Sequence, residues 1–547
     1  MANRGTRRAE VCLLLMLAVP LLPGHAAMGG APPRQPVVVT MPEQPRRFVD
    51  TTIVPPSRRT IAVKAGGDFQ AALERAEPGD VITLEAGAIF KGPFTLLRKR
   101  GEGWITVRTS APDESLPAPG TRITPAYASV LPKIVSPGPP AALQTAPGAH
   151  HYRIIGVEFA VAPGASRCYN LVMLGDLGQT SLDQVPSNLI LDRVYVHGNP
   201  RTNLRRGVAL NSASSAVIDS YISDVHEVGA DSQALGGSTG PGPYKIVDNF
   251  LEGSGENVLF GGADPAIRDL VPSDIEFRNN HVTKPLTWMK GHPAYAGTEW
   301  TVKNLFEVKN ARRVLVDGNL FEHNWPAAQT GFAILFTVRN QDGAAPWSVI
   351  EDVTFTNNVV RHVSSAINVL GHDDNHPSQQ TKRILIRNNL FEDVGGPPWG
   401  GNGRFLQLLD GTADIVVEHN TVLQTGEIVA TGARAHTGFV YRYNVAPNNE
   451  YGIGGDSHYG DPLGTIREYL PGAVVTGNVI AGGDPRRYPP GNIFPSALEK
   501  AGVTARTNDD GRLTGATAST VPARDGAKPG AEVKALGAAL AAGRSCS

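Results

Sequence analysis

Two short segments of the chain combine alternating apolar residues with cationic side chains. They are LFEVKN at residues 305–310 and LFTVRN at residues 335–340. Successive side chains of a strand point to opposite faces, so the apolar residues share one face and the polar residues between them share the other. If the segments align without gaps as neighbouring strands, Lys309 lies beside Arg339. The sequence therefore predicts an amine and a guanidinium that emerge together from one sheet surface.

The same register extends the polar surface into two further segments, INVLG at residues 367–371 and LQLLD at residues 406–410. We interpret the resulting stripe as a substrate-binding surface. Its residues are Glu307, Thr337, Asn368 and Gln407 in successive coils, with Trp325 and His372 nearby. Five of the six tryptophans are close enough in sequence to offer rings for stacking on sugars: Trp288, Trp300, Trp325, Trp347 and Trp399.

An amine beside a guanidinium is suited to removing a proton next to a carboxylate. Cleavage of a uronic-acid polymer by β-elimination removes the C5 proton; it needs positive charge at the C6 carboxylate and a base that reaches C5. A cationic neighbour disfavours the protonated form of a lysine, so Lys309 beside Arg339 fits. Basic residues also concentrate in this part of the sequence: Lys284, Lys290, Lys303, Lys309, Arg312, Arg313 and Arg339.

A second group of candidate residues lies in GHDDNH at residues 371–376. Asp373 and Asp374, together with Asp410, could serve a glycoside hydrolase, which needs two carboxyl groups about 6.5–9.5 Å apart to invert configuration. His372, His376 and the two aspartates could instead bind a divalent metal, or the segment could be an ordinary solvated loop. A protein that binds a glycan without cleaving it is the third functional alternative.

An asparagine recurs in a short phrase of β-forming residues, at intervals between 24 and 39 residues. The copies end on Asn249, Asn280, Asn319, Asn358, Asn389, Asn420, Asn444 and Asn478. A period in this range indicates stacked repeats, and alternating β-branched residues without a helical period disfavour helical and leucine-rich repeats. We predict an all-β, right-handed parallel β-helix in which the asparagines form a structural ladder.

The repeat region begins with a strand, a short amphipathic helix and a second strand within residues 60–87. Asp68 is suited to capping the helix, and Phe69, Ala72 and Leu73 share its apolar face. We expect this helix to cover the first end of the coil, since a solenoid exposes an apolar end.

The chain divides into four segments. Residues 1–27 have a basic start, a short apolar run and small residues typical of a signal peptide, which favours a secreted or periplasmic protein over the alternative of an N-terminal anchor. Residues 28–59 form a proline-rich linker or arm, residues 60–495 the β-helix, and residues 496–547 a C-terminal cap or tail. Cys168 and Cys546 could pair or remain thiols.

The opening of the repeat region and the asparagine-marked coils resemble the secreted right-handed parallel β-helix proteins of the pectate lyase type. Asn304, Lys309 and Arg339 are also similar in spacing to the family of chondroitinase B and some alginate lyases. That resemblance implies that Lys309 is the base and Arg339 steadies the substrate or the leaving oxygen. It implies calcium as well, but the family has a glutamate where this chain has Asn304, so calcium with Asn304, Glu307 or Asp264 as ligands stays open.

The overall charge limits the partners. Lys and Arg number 50 and Asp and Glu number 51, so no global field attracts nucleic acid or an anionic membrane. Gly and Pro, 61 and 43 in number, exclude a helical bundle. We expect a monomer that acts on an acidic polysaccharide, without a membrane span in the mature chain and with calcium as the one cofactor left open.

Overall fold

The computed structural model describes residues 39–507 and 513–544. Within these ranges the chain winds into a right-handed parallel β-helix, and each coil contributes one strand to each of three long sheets. The sheets contain 14, 13 and 12 described strands and are called sheets 1, 2 and 3 in that order. The prediction of a parallel β-helix is confirmed.

The strand bounds follow the coil. Sheet 1 consists of Thr60–Val63, Val81–Leu84, Ile105–Thr109, His150–Ile155, Ser187–Asp192, Ala213–Ile218, Tyr244–Val247, Ser273–Arg278, Ala311–Asp317, Ile350–Thr356, Lys382–Arg387, Ala413–Glu418, Val440–Arg442 and Val474–Thr476. Sheet 2 consists of Ile89–Lys91, Lys133–Ser136, Glu158–Val161, Tyr195–His197, Tyr221–Val225, Phe250–Gly253, His281–Thr283, Leu320–Asn324, Val359–Val363, Leu390–Val394, Thr421–Gln424, Val445–Pro447 and Val479–Ala481. Sheet 3 consists of Phe94–Leu96, Leu143–Thr145, Arg167–Leu174, Asn203–Leu210, Gln233–Gly237, Val258–Phe260, Phe306–Val308, Phe332–Thr337, Ser365–Leu370, Leu406–Leu409, Val429–Gly432 and Ile453–Gly455.

A continuous asparagine ladder lies at the bend between sheets 1 and 2. Asn358 is representative: its Nδ2 donates to Asn389 Oδ1 (3.1 Å) and to the carbonyl of Val316 (3.0 Å), and its own Oδ1 accepts from Asn319. The residue before each asparagine is left-handed, for example Asn357 at φ 57°, which makes the tight turn possible. All eight predicted asparagines belong to this ladder, so their structural role is confirmed.

The helices cover surfaces that the coil leaves exposed. Helix α1, Phe69–Arg75, begins at Asp68, whose side chain accepts the N–H of Ala71 (2.9 Å), and it buries its apolar face over the first end of the core as predicted. Helix α2, Pro462–Tyr469, packs against the last strand of sheet 3. Helix α3, Val533–Arg544, packs on the outer face of sheet 2. Shorter 3₁₀ turns span Asp113–Ser115, Pro125–Val130, Leu182–Gln184, Leu286–Trp288, Pro485–Arg487 and Leu498–Ala501.

The segments on either side of the coil run along its outer surfaces. Residues 39–59 lie across sheet 1, where Glu43 N donates to Asp352 and Arg153 donates to the carbonyl of Thr51. Residues 496–507 and 513–544, which include the short hairpin Arg506–Thr507 with Leu513–Thr514, fold back along sheet 2. The proposed signal peptide, the first part of the arm and Cys546 lie outside the described residues. In the described part of the chain, no helix is long and apolar enough to cross a membrane.

Candidate functional site

The strands that carry the predicted catalytic residues are neighbours in sheet 3, but their register differs from the predicted one. Phe306 pairs with Ile334 and Glu307 pairs with Leu335, so the gapless alignment is wrong by two residues. A shift of two preserves the faces of a strand, which is why Phe306 and Phe336 are still buried as predicted. The outward column therefore runs Glu307, Leu335, Asn368 and Gln407, and Thr337 lies outside it.

Lys309 and Arg339 nevertheless meet just beyond the ends of these strands. The backbone N–H of Arg339 donates to the carbonyl of Lys309 (2.9 Å), so the two residues follow each other on adjacent coils. Both side chains point outward, because the residues that alternate with them, Val308 and Val338, are buried in the core. The predicted juxtaposition of an amine and a guanidinium survives the error in register.

Glu307 is the carboxylate that lies next to Lys309. Its side chain is only 2 % exposed, and its carboxylate lies 3.7 Å from Nζ of Lys309, whose side chain is 17 % exposed. Glu307 also accepts hydrogen bonds from Thr337 Oγ1 (3.1 Å) and from Asn304 Nδ2 (2.8 Å). Two neutral donors and one ammonium therefore surround a single buried carboxylate, which fixes its position beneath the amine.

Arg339 joins the two groups of candidates that the sequence left as alternatives. Its Nη1 donates to Asp373 Oδ1 (2.5 Å) and to Asp374 Oδ1 (2.6 Å). Asp373 also accepts the backbone N–H of Asn340 (2.7 Å), and its side chain is fully buried, whereas the side chain of Asp374 is exposed. The hydrogen bond and charge of Arg339 hold the pKa of Asp374 below its usual value. We call the set Glu307, Lys309, Arg339, Asp373 and Asp374 the edge cluster.

Three of the cations that were predicted near this site lie elsewhere. Arg312 and Arg313 lie in the sheet 1 strand Ala311–Asp317, where Arg313 binds Asp274, because the intervening bend separates them from sheet 3. Lys290 pairs with Glu299 in an exposed loop. The edge cluster itself combines two cations with three carboxylates, so its two cations are balanced by its own acids.

Glu256 is a buried carboxyl group that the sequence reasoning missed. It accepts from Gln233 Nε2 (2.7 Å) and lies 3.3 Å from Lys303 Nζ. Burial, and next the charge of Glu307, raise its pKa above the ordinary value. Its position two residues before the strand Val258–Phe260 could have identified it. It was missed because the polar stripe was extended only toward later coils.

The other predicted substrate-binding residues divide into two groups. Asn368 and Gln407 remain at the surface and bond each other (3.2 Å), and His372 Nδ1 lies 3.0 Å from the carbonyl of Asp410. The prediction for Trp325 needs correction. Trp325 is only 5 % exposed, because it packs in an apolar cluster under the loop before Phe306–Val308, with Trp288, Trp300 and Val302.

The residues suggested as calcium ligands do not fit that ion, which prefers six to eight oxygen ligands. Asp264 accepts the backbone N–H groups of Gln341, Asp342 and Ala344 (2.7–2.9 Å), and Asn304 donates to Glu307 through its amide nitrogen. Within the described ranges, no group of three His, Cys, Asp or Glu side chains is arranged to hold a metal.

A lysine ammonium takes a position suited to a cation beside Asn304. Lys284 is fully buried, and its Nζ donates to the carbonyls of Gly253 (2.7 Å), Gly255 (2.8 Å) and Asn304 (3.0 Å) and to Asn257 Oδ1 (2.6 Å). Burial lowers the pKa of Lys284 and the charges of Glu256 and Glu252 oppose that shift. Because all four partners are acceptors, they favour the protonated amine.

Comparison with known proteins finds structural similarity at low sequence identity. Pectate lyase Pel9A is 15 % identical over 62 % of this chain and 76 % of its own, with a TM-score of 0.35. A mannuronic acid-specific family 6 polysaccharide lyase from human gut microbiota is 12 % identical over 78 % and 87 %, with a TM-score of 0.48. The catalytic unit of a GH87 α-1,3-glucanase from Streptomyces thermodiastaticus is 12 % identical over 82 % and 69 %, with a TM-score of 0.42. No protein-family model and no curated protein matches the chain.

Proposed function

We propose that this protein is a polysaccharide lyase that cleaves a uronate-containing glycan by β-elimination. The observation that carries the proposal is that Lys309 and Arg339 emerge side by side from adjacent coils, just past the ends of two neighbouring strands of sheet 3. A base and a cation placed within one strand spacing, about 4.8 Å, can address the C5 proton and the charge next to it on one sugar.

Lys309 is the base in this proposal. Its one charged contact within the described residues is Glu307 at 3.7 Å, which is longer than a hydrogen bond. The amine is therefore positioned without being tied to an acceptor, and it can turn its nitrogen toward a sugar above the sheet. As the C5 proton moves to Lys309 Nζ, the electron pair left at C5 forms a double bond to C4, the C4–O bond breaks, and the leaving oxygen takes up a proton from water. Glu307 stabilises the ammonium that forms.

Arg339 supplies the positive charge and is held for that task by two carboxylates. Only Nη1 takes part in its bonds to Asp373 and Asp374, and Nε and Nη2 make no hydrogen bond within the described part of the chain. Those N–H groups can bind the C6 carboxylate or the leaving oxygen. Because charge-assisted bonds fix the guanidinium in advance, little reorganisation is needed as negative charge develops.

The hydrolase alternative is less consistent with these contacts. An inverting hydrolase needs one carboxyl group that stays protonated until it donates to the leaving oxygen. Asp373 accepts from Arg339 and two backbone N–H groups, Arg339 keeps Asp374 ionised, and Asp410 lies 3.3 Å from Arg434. Asp373 and Asp374 are therefore engaged in positioning Arg339, and Asp410 pairs with Arg434 instead.

A test of the proposal is a screen of the purified mature chain against pectate, alginate, chondroitin and dermatan. We expect new ultraviolet absorbance from unsaturated uronate with at least one polymer. Lys309→Ala and Arg339→Ala should each lower that rate at least about a hundredfold, with unchanged circular dichroism. Lys290→Ala, at the exposed pair with Glu299, is the matched control and should retain activity.

Two results would contradict the proposal. Reducing ends without absorbance would favour the hydrolase. Saturable binding without any product would favour a glycan-binding protein. We also propose, from the sequence of residues 1–27, that the protein acts outside the cytoplasm.

A further inference from the structure

A cavity of about 310 Å³ continues the outer surface of sheet 3 from the edge cluster toward earlier coils. Gly261 and Gly262 join the cavity to Lys309. A Cβ added at Gly261 would lie 2.9 Å from Lys309 Cβ, and one added at Gly262 would lie 3.7 Å from Lys309 Cδ. The cavity and the proposed base are therefore parts of one continuous groove.

Small residues keep the floor of this groove low. Ala209 and Gly236 are paired in register on adjacent strands, and the next strand adds Leu259 in the same column. This is the outward column that continues into Glu307. An extended ligand lying along the column would meet no large side chain at Ala209 and Gly236 before it reaches Leu259 and the edge cluster.

Arg206 enters this cavity as a cation without a partner. Within the described residues, its guanidinium makes no hydrogen bond and no ion pair, although most of it is buried among the cavity walls. Burial, and next the neighbouring charge of Arg205, lower its pKa from the ordinary value, and the charges of Glu256, Asp231 and Glu227 oppose that shift. Because none of these carboxylates forms an ion pair with the guanidinium within the described residues, an anion bound against it would supply the close counter-ion that Arg206 lacks.

Asn170 adds an unpaired acceptor next to this cation. It pairs in register with Arg206, and its buried Oδ1 has no hydrogen-bond partner among the residues that the structure describes. Asp176, at the rim, uses its Oδ1 to accept the N–H of Gly178 (2.6 Å). The cavity thus offers one guanidinium for a carboxylate and one amide oxygen for a hydroxyl group.

We propose that this cavity is a subsite for a second acidic sugar of the same glycan, with Arg206 binding its carboxylate and Asn170 accepting from one of its hydroxyls. The subsite rests on the proposed function in taking the same chain that Lys309 cleaves. Its strand is three strands before that of Lys309, roughly 14 Å away, so one extended oligosaccharide lying in the groove reaches both.

The test measures binding rather than cleavage. The Lys309→Ala protein is titrated by calorimetry with a uronate hexasaccharide and with the same hexasaccharide after its carboxyl groups are reduced to alcohols. Adding Arg206→Gln should weaken binding of the acidic hexasaccharide at least about tenfold and should leave the reduced one unaffected. Arg206→Lys should recover part of the loss, and Arg201→Gln, at an exposed arginine before the same strand, is the matched control.

Three results would overturn the subsite. They are equal binding with and without Arg206→Gln, an equal loss with both oligosaccharides, and an absence of binding by the parent protein. Failure of the proposed function is a separate result, because it would appear as no elimination product from the wild-type protein whatever the outcome of the titration.

Discussion

The asparagine ladder and the edge cluster are built on the same coils but follow opposite rules. In the ladder, each coil repeats one residue type, and Asn358 bonds only its counterparts and the adjacent backbone. In the edge cluster, successive coils contribute different residue types: Lys309 on one coil is followed by Arg339 on the next and by Asp373 on the third. The first arrangement satisfies buried polar groups, and the second leaves N–H groups of Arg339 available to a ligand.

This difference indicates where function resides in a solenoid. A repeated side chain stabilises the stack because each copy has the same neighbours, so its loss affects folding. Lys309 and Arg339 break the repeat and point outward, so their loss should affect chemistry more than folding. The following variants test that separation, beginning with the largest expected effect.

Replacing the buried ammonium should be the most damaging change to stability. Lys284→Met removes the hydrogen bonds of a buried ammonium to four oxygens, of which the carbonyl of Asn304 keeps the N–H of Asn257 as a second donor. We expect a loss of about 3–5 kcal/mol in the free energy of unfolding, measured by urea denaturation. A chelator should change neither stability nor elimination by the wild-type protein, since an ammonium already bonds these oxygens. Unchanged stability of Lys284→Met, or inactivation by the chelator, would contradict this account.

Interrupting the asparagine ladder should have a smaller effect on stability and little on chemistry. Asn358→Ala removes hydrogen bonds to Asn319, Asn389 and Val316, and we expect a loss of about 2–4 kcal/mol. Thermal melting measures the effect, and Asn402→Ala, at an exposed asparagine, is the control. A large fall in turnover of the folded variant, with the melting temperature preserved, would break the separation of stack from site.

Releasing Arg339 should reverse that pattern. Asp373→Asn removes the buried carboxylate that holds the guanidinium, so we expect about ten- to a hundredfold lower kcat/KM with a smaller loss of stability. Asp374→Asn should have a weaker effect, since its carboxylate is exposed. The steady-state rates with the cleaved polymer decide. A variant at Asp373 that is inactive at every pH while Lys309→Ala remains active would favour the hydrolase.

The histidine that packs against the tryptophan cluster should make stability depend on pH in a specific direction. His226 stacks on Trp300 at 3.7 Å, and burial lowers its pKa to about 4. The unfolded chain binds a proton at this histidine below about pH 6.5 while the folded chain does not, so stability should fall as the pH drops from 6.5 toward 4. Melting temperatures of wild type and His226→Phe, compared at pH 7 and 5, should show a smaller decrease for the variant, by the equivalent of about 1–2 kcal/mol. Parallel pH profiles would refute the assignment.

The features predictable from the sequence were those repeated along the chain. The ladder asparagines and the alternation of Phe306 and Phe336 depend on local period, which survives in a single sequence. The register of Glu307 could not be predicted in this way, because a slip of two residues leaves the same side chains facing outward. A matching run of letters cannot reveal that difference.

Contacts between coils were the second feature hidden from sequence reasoning. The bond from Arg339 to Asp373 joins residues 34 positions apart. It places in one site two groups of residues that the sequence analysis treated as alternatives. Trp325 looked like an exposed ring, and only its packing with Trp288 and Trp300 shows that it is buried. Such pairings depend on the lengths of the loops between strands, which composition does not determine.

The mass balance of cleavage tests the central claim most directly. A defined uronate hexasaccharide is digested by the wild-type protein, and the masses of the two products are summed. If Lys309 and Arg339 carry out β-elimination, the sum equals the mass of the substrate and one product carries a double bond. A sum larger by one water molecule, with no unsaturated product, would contradict the account.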